Sequence, residues 1–141
     1  MKKIFLSLLF YLISSCILSA EIIKDVKVSG NKRISIETIK VYGDIKLNSD
    51  YSDIDINNIL KNLYETEFFS DVTVNLKNNI LEIKVEEYDI INSIILEGEK
   101  ANKIKEAVLE RLELQEKSSF IKSKLATDVQ IIKSIYGSLG F

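Results

Sequence analysis

The stretch Asp71-Val-Thr-Val-Asn-Leu-Lys-Asn-Asn-Ile-Leu-Glu-Ile-Lys-Val-Glu86 decides the fold of this chain. Apolar and polar residues alternate on both sides of Asn78-Asn79, a pair suited to a two-residue turn, so the stretch predicts a β-hairpin. A slip of one residue would bury the polar face, so the register is well specified. The expected apolar pairs are Leu76 with Leu81, Val74 with Ile83, and Val72 with Val85. The expected polar pairs are Thr73 with Lys84 and Asn75 with Glu82.

A strand and a short helix are predicted well before the hairpin. Apolar and polar residues alternate over residues 22–29, which predicts one half-buried strand. Ser35 is a suitable N-cap for the helix that follows, and Gly43 is placed to end it. The residues expected on the buried side of the strand are Ile22, Val26 and Val28.

A polar loop and a longer helix complete the segment before the hairpin. Residues 44–52 form the loop, and Ser52 with Asp55 makes a variant capping box at the start of the helix. The aromatic segment 64–69 after this helix is expected to lie in the core, because buried aromatic residues are more common than aromatic binding sites. The apolar stripe that would pack on a sheet comprises Ile56, Ile59, Leu60 and Leu63.

The same order of elements then begins again. Val26-x-Val28-Ser-Gly30-Asn-Lys32 reappears as Ile94-x-Leu96-Glu-Gly98-Glu-Lys100, which predicts a second strand over residues 90–97. Two further helices are expected at about 102–112 and 123–136. One mismatch is Asp128, which falls where the first copy has Ile56. The residues expected to face inward are Ile104, Val108, Leu112, Leu125, Val129, Ile132 and Ile135.

The second copy stops at Phe141, where the first copy still has its hairpin to come. A single strand cannot satisfy its backbone groups or cover a helix pair. We therefore expect the sequence to be the N-terminal part of a longer protein. The alternative is that residues 90–97 join the first sheet.

The first twenty residues have the layout of a secretory signal peptide. A basic start is followed by an apolar run over residues 4–13 and a short mixed stretch, so we expect cleavage between Ala20 and Glu21. Residues 13–16 also resemble a bacterial lipobox, which would leave Cys16 as a lipidated N-terminus. A third alternative is an uncleaved N-terminal anchor.

The composition excludes several classes of function. The 141 residues include no His, Pro or Trp, and Cys16 is the only cysteine, so metal sites or catalytic triads built on these residues are not expected. The net charge of −2 and the lack of a basic cluster argue against nucleic-acid binding. The adjacent acids Glu86 and Glu87 would point to opposite faces of a strand. We expect a non-enzyme with no catalytic residue, cofactor or metal.

The tandem βααββ units after a signal peptide resemble POTRA domains. The stretches Val26-Lys-Val-Ser-Gly-Asn-Lys-Arg-Ile34 and Leu63-Tyr-Glu-Thr-Glu-Phe-Phe-Ser-Asp-Val-Thr-Val74 are similar to the first POTRA unit of the BamA family of outer-membrane β-barrel assembly factors. The resemblance implies an α+β fold of tandem POTRA units, each a three-stranded mixed sheet packed on two antiparallel helices. It implies a signal peptide at 1–20, a first unit at 21–88, and a second unit at 89–141 that lacks its last two strands.

The resemblance also implies a function in binding. POTRA units of this family lie in the periplasm before a membrane-embedded barrel, receive unfolded outer-membrane proteins and dock accessory lipoproteins. The implied location is the periplasmic face of the bacterial outer membrane, and the expected means is β-augmentation at an open sheet edge. The expected polypeptide-binding residues are Asp71, Val72, Thr73, Val74, Asn75, Leu76 and Lys77.

Other functions share these features. A translocation and assembly relative, or a two-partner secretion transporter, would also begin with tandem POTRA units. A cell-division protein with a POTRA unit is disfavoured by the short apolar run and the doubled unit. If the lipobox is used, Cys16 would make the chain a lipid-anchored periplasmic adaptor.

Overall fold

The computed structural model describes residues 21–140. The predicted signal peptide, including Cys16 and Ala20, lies outside the described residues. Among residues 21–140, no helix has both the length and the apolar character that crossing a membrane would need.

Five strands and four helices make up the described chain. The first part holds β1 (Glu21–Ile22), β2 (Asp25–Ser29), α1 (Ile36–Tyr42), β3 (Asp50–Tyr51), α2 (Asp53–Glu65), β4 (Phe69–Lys77) and β5 (Ile80–Glu87). The second part holds α3 (Asn102–Leu109) and α4 (Lys122–Ser138).

The hairpin forms as the alternation predicts. Strands β4 and β5 pair antiparallel, with Leu76 opposite Leu81, and the other predicted pairs occur in the same register. Asn78 and Asn79 have φ values of 53° and 64°, the left-handed conformation that a tight two-residue turn of this kind requires. Strand β2 pairs in parallel with β5, so the sheet is mixed and β5 lies at its centre.

One core cluster holds the sheet and the first two helices together. Ile39 from α1, Leu63 from α2 and Leu81 from the central strand are fully buried members of this cluster. Both predicted helix caps are present: the Ser35 side chain accepts the Thr38 N–H at the start of α1, and the Ser52–Asp55 capping box begins α2. The other buried members of the cluster are Ile23, Tyr51, Ile59, Phe69, Val72, Ile83 and Val85.

The predicted single strand over residues 22–29 is wrong in one respect. Residues 21–22 pair with β3, and residues 25–29 pair with β5. Between these two strands, the alternation of buried and exposed side chains shifts by one residue. The Ile23 N–H donates to the carbonyl oxygen of Ser49 at 3.2 Å, and the Ile23 carbonyl accepts from Asn48 at 2.7 Å. As a result Ile23 is fully buried, whereas Ile22, predicted to face the core, is 41% exposed.

The turn after β2 is fastened to the end of β5. Gly30 has a φ of +85° and passes close to the backbone of Val85. The Glu87 carboxylate accepts hydrogen bonds from three successive backbone N–H groups, those of Lys32, Arg33 and Ile34, at 2.7 to 3.2 Å. Arg33 adds an ion pair from Nε to Glu87 at 3.1 Å and a hydrogen bond from Nη2 to the Tyr88 carbonyl at 2.7 Å.

These contacts change the acidity of Glu87. Burial alone would raise its pKa, but the three backbone donors and the nearby Arg33 guanidinium outweigh that effect. The pKa of Glu87 is therefore lowered, and the carboxylate is held in its charged form. Glu87 thus joins the loop to the end of the central strand, together with the Arg33 hydrogen bond to Tyr88.

The predicted strand at residues 90–97 does not form. Residues 89–91 pair instead with the loop at 117–120: the Ile91 N–H donates to the Ser118 carbonyl at 2.9 Å, and the Phe120 N–H donates to the Asp89 carbonyl at 2.7 Å. Ile90 and Ser119 form an isolated antiparallel bridge. Within residues 21–140, no strand pairs with residues 92–97, and an isolated segment cannot satisfy its backbone groups as a strand.

The helices of the second part lie close to their predicted positions. Helix α3 ends at Leu109, earlier than predicted, because the chain turns at 110–114 and buries Leu112 and Leu114 there. Lys124 in α4 pairs with Glu67 of the loop after α2, which connects the second part to the first.

Asp128 has a structural role that explains its mismatch with Ile56. Its side chain is only 3% exposed and accepts the Glu113 N–H at 2.7 Å and the Leu114 N–H at 3.0 Å. The turn after α3 therefore has its backbone donors satisfied by a carboxylate on α4. An apolar residue at this position would leave both donors without these bonds.

Candidate functional site

The outer side of β4 is an open edge of the sheet. The sheet order is β2-β5-β4, and within residues 21–140 no strand pairs with the far side of β4. All seven residues predicted as polypeptide-binding, Asp71 to Lys77, lie in this strand. The structure therefore brings the predicted residues together along one edge.

The pairing with β5 determines which backbone groups of β4 face outward. Lys77 and Ile80 flank the two-residue turn and form a hydrogen-bonded pair, so hydrogen-bonded pairs recur at every second residue along the ladder. The N–H and C=O groups of Val72, Val74 and Leu76 consequently point away from β5. These groups are the ones that an added strand would meet.

The side chains along this edge separate into two rows. Val74 and Leu76 are half-buried and pack against the core, whereas Thr73, Asn75 and Lys77 are exposed on the other face. An added strand would continue both faces, since directly opposed residues share one side of a sheet. The edge is thus apolar towards the helices and polar towards solvent.

Tyr64 closes one end of the edge, and sequence reasoning missed this role. The segment 64–69 was expected in the core, but Tyr64 is 41% exposed while Phe69 is buried. The Tyr64 hydroxyl accepts the Val72 N–H at 3.1 Å and donates to Asp71 Oδ1 at 3.2 Å. The available signal was a tyrosine in the last turn of a helix, seven residues before an acidic residue in the following strand.

The opposite edge of the sheet is shorter. Strand β2 has five residues, whereas β4 has nine. The Val26 N–H on β2 donates to the neighbouring Asp25 carboxylate at 2.8 Å, so one donor of this strand is already satisfied by a side chain. Strand β4 offers the longer row of free backbone groups.

The charges at the β4 edge are balanced. Asp71 lies near one end of the strand and Lys77 at the other, with Glu82 and Lys84 beside them on the polar face. Such a surface does not select a strongly charged ligand. Within residues 21–140, no group of three acidic, His or Cys side chains is placed to hold a metal ion. Main-chain hydrogen bonding is the chemistry that this site can offer.

The second part of the chain has an open apolar groove of about 500 Å³. Residues 89–96 form one side of it, and Leu125 and Val129 of α4 line the other. The prediction that these two side chains face a core is wrong, since they are 42% and 41% exposed. Within residues 21–140, no strand packs against α4, whereas β4 packs against α2.

The second part of the chain matches the model of a known family. The POTRA family model, described as "Surface antigen variable number repeat", matches residues 90–141. The match covers the second of the two repeats that are visible in the sequence.

Curated relatives extend the similarity to most of the chain. Outer membrane protein assembly factor BamA of Neorickettsia risticii is 26% identical over 129 residues, which are 91% of this chain and 17% of that protein. BamA of Neisseria meningitidis is 33% identical over 100 residues, which are 71% of this chain and 12% of that protein. The chain therefore spans less than a quarter of the length of these relatives.

Solved structures show the same fold. The N-terminal domain of Omp85 from Thermosynechococcus elongatus aligns with a TM-score of 0.57 at 15% identity, over 85% of this chain and 52% of that chain. The POTRA1-3 region of Omp85 from Anabaena aligns with a TM-score of 0.51 at 11% identity, over 85% of this chain and 52% of that chain. The α+β fold of POTRA type predicted from the sequence is confirmed.

Proposed function

We propose that this chain, which is similar to BamA proteins over most of its length and matches the POTRA family model at residues 90–141, is the periplasmic polypeptide-binding region of an outer-membrane protein assembly factor. Its role is to bind and hold polypeptides, without catalysis. Its clients are unfolded outer-membrane β-barrel proteins, and it also docks accessory lipoproteins. The names of the curated relatives and the POTRA match support this proposal.

We propose two POTRA units, at residues 21–88 and 89–141. The first unit contains the complete mixed sheet with α1 and α2. The second unit contains α3, α4 and the exposed apolar groove. The repeated sequence pattern and the family match at 90–141 support this division.

Clients bind by adding a strand to β4. The observation that carries this mechanism is the row of outward N–H and C=O groups at Val74 and Leu76, on an edge with no neighbouring strand among the described residues. Main-chain bonds recognise an extended conformation and tolerate many sequences. Strands of β-barrels alternate apolar and polar residues, which matches the two rows of side chains along β4.

The substitution Val74→Pro tests this mechanism. Proline removes the outward N–H of residue 74 and places a ring at the edge, but it breaks no bond to β5. We expect photo-crosslinking of an extended barrel-strand peptide to fall about tenfold, the effect of losing one or two hydrogen bonds in an interface. Val74→Ala is the matched control, because it trims the same side chain and keeps the N–H.

The folded state of each variant must be checked by circular dichroism. Val74 also packs on the core, so some loss of stability is expected in both variants. Crosslinking that stays unchanged in a folded Val74→Pro chain would contradict strand addition at this edge.

We also propose that export ends with cleavage between Ala20 and Glu21. N-terminal sequencing of the exported protein tests this proposal, since Glu21 would then be the first residue. Incorporation of radioactive lipid at Cys16 would instead indicate a lipid-anchored adaptor.

A further inference from the structure

Tyr64 connects the last turn of α2 to the open edge of β4. Its hydroxyl occupies the Val72 N–H at 3.1 Å, the first of the outward donors in the strand. We propose that Tyr64 sets the length and register of a polypeptide that pairs with β4. This inference rests on the proposed function, because it concerns how a strand is added at that edge.

The Tyr64 hydroxyl divides the edge into an occupied part and an open part. Three residues of β4 direct their backbone groups outward, namely Val72, Val74 and Leu76. The hydrogen bond to Tyr64 uses the Val72 donor, so Val74 and Leu76 offer the free pairs of donor and acceptor. A polypeptide that pairs beyond Val74 has to displace the hydroxyl first.

Asp71 holds the tyrosine in this position. The hydroxyl donates to Asp71 Oδ1 while it accepts from Val72, so both of its hydrogen-bonding functions are directed at β4. The ladder between β4 and β5 also shifts in register between Phe69 and Asp71. Such a bulge interrupts regular pairing, which places a second limit on an added strand at the same end.

The open part of the edge favours a defined residue pattern in its ligand. Residues paired with Val74 and Leu76 lie on the apolar face beside the core, and the residue between them lies beside Asn75 on the polar face. The ligand is therefore an extended segment with apolar residues at positions i and i+2 and a polar residue between them. Proline is excluded at the paired positions, where the ligand must supply its own N–H.

Two peptides and the variant Tyr64→Phe test the inference. The short peptide carries the apolar–polar–apolar pattern and pairs with Val74 and Leu76 only, whereas the long peptide extends the alternation to Val72. Affinity is measured by NMR titration of the intact chain, and amide hydrogen exchange is followed at Val72, Val74 and Leu76. Phenylalanine keeps the ring and removes only the hydroxyl.

We expect Tyr64→Phe to raise the affinity of the long peptide about fivefold, the effect of one backbone hydrogen bond, and to leave the short peptide unchanged. The Val72 amide should exchange faster in the free variant and become protected again when the long peptide binds. Asp71→Ala should act in the same direction with a smaller effect. Tyr42→Phe on α1, whose ring packs edge-on against Phe68, is the control for a lost tyrosine hydroxyl.

The outcomes separate this inference from the proposed function. If peptides protect Val74 and Leu76 but Tyr64→Phe changes the two affinities equally or not at all, the role of Tyr64 is refuted and strand addition stands. If no peptide protects Val74 or Leu76 in any folded variant, both are refuted. Protection that rises with protein concentration and without peptide would identify a second copy as the occupant, which also overturns the inference.

Discussion

A Cβ atom placed on Gly30 would lie 2.0 Å from the carbonyl oxygen of Val85. No side chain fits at that distance, and the obstacle is backbone in the central strand. Gly30 also has a φ of +85°, which disfavours any residue with a Cβ. The turn after β2 can approach β5 only because this position is glycine.

Gly30→Ala should therefore destabilise the chain by about 3 kcal/mol or more, since it combines a steric clash with an unfavourable backbone conformation. Gly98 is the matched control, because it occupies the repeated position with the same φ of +85° and a Cβ there would meet nothing within 4 Å. Gly98→Ala should cost about 1 to 2 kcal/mol, the conformational part alone. Urea unfolding monitored by circular dichroism measures both, and equal losses would contradict the role given to Val85.

Glu87 should make the stability of the chain depend on pH in the acid range. Its pKa in the folded protein lies below the ordinary value of 4.5, so the stabilisation by its charged form is fully present above that pH. The stabilisation is lost as the pH falls through the folded pKa. Glu87→Gln should lower the free energy of unfolding at pH 7 by about 1 to 2 kcal/mol. The free energy of unfolding of this variant should also fall less steeply between neutral and acidic pH.

Glu82→Gln on the exposed face of the same strand is the control for Glu87. The measurement is the free energy of urea unfolding at a series of pH values from 7 to 3. A Glu87→Gln chain whose stability declines as steeply as that of the unchanged protein would refute the assigned role. Parallel curves are expected for Glu82→Gln and the unchanged protein.

The chain should be less stable when Asp128 is replaced by the apolar residue that the repeat predicts. Asp128→Ile restores the residue type of Ile56 but leaves the N–H groups of Glu113 and Leu114 without their acceptor. We expect a loss of about 2 to 3 kcal/mol for Asp128→Ile and a smaller loss for Asp128→Asn, which keeps one oxygen acceptor. Thermal unfolding compares the three chains, and an equal or higher stability of Asp128→Ile would show that the two hydrogen bonds are dispensable.

Local patterns predicted the first unit well. The register of the hairpin from Asp71 to Glu86 is determined by the alternation and by Asn78-Asn79, all within sixteen consecutive residues. The caps at Ser35 and Ser52 depend on side chains that reach only three residues along the chain. Such short-range interactions are readable without knowledge of the fold.

Contacts between distant segments were not predicted. Ile23 is buried because residues 48 and 49 pair with it, and the sequence around residue 23 does not indicate these partners. Tyr64 lies at the sheet edge because its hydroxyl meets β4, which a pattern of apolar residues cannot show. Residues 90–97 were expected to form a strand because Ile94-x-Leu96 repeats the pattern Val26-x-Val28, but a strand also needs a neighbour, and a repeated pattern does not supply one.

The attachment of Tyr88 to the turn after β2 has a mechanical consequence. Tyr88 leaves directly from β5, the strand that is paired on both sides, and Arg33 and Glu87 fasten the turn to the same point. A pull on the chain beyond residue 88 along the direction of β5 therefore loads two ladders in shear at once, instead of peeling one strand from an edge. Tension that reaches the first unit from the C-terminal side is therefore shared between the β2–β5 and β4–β5 ladders, and it does not peel β4 from the sheet.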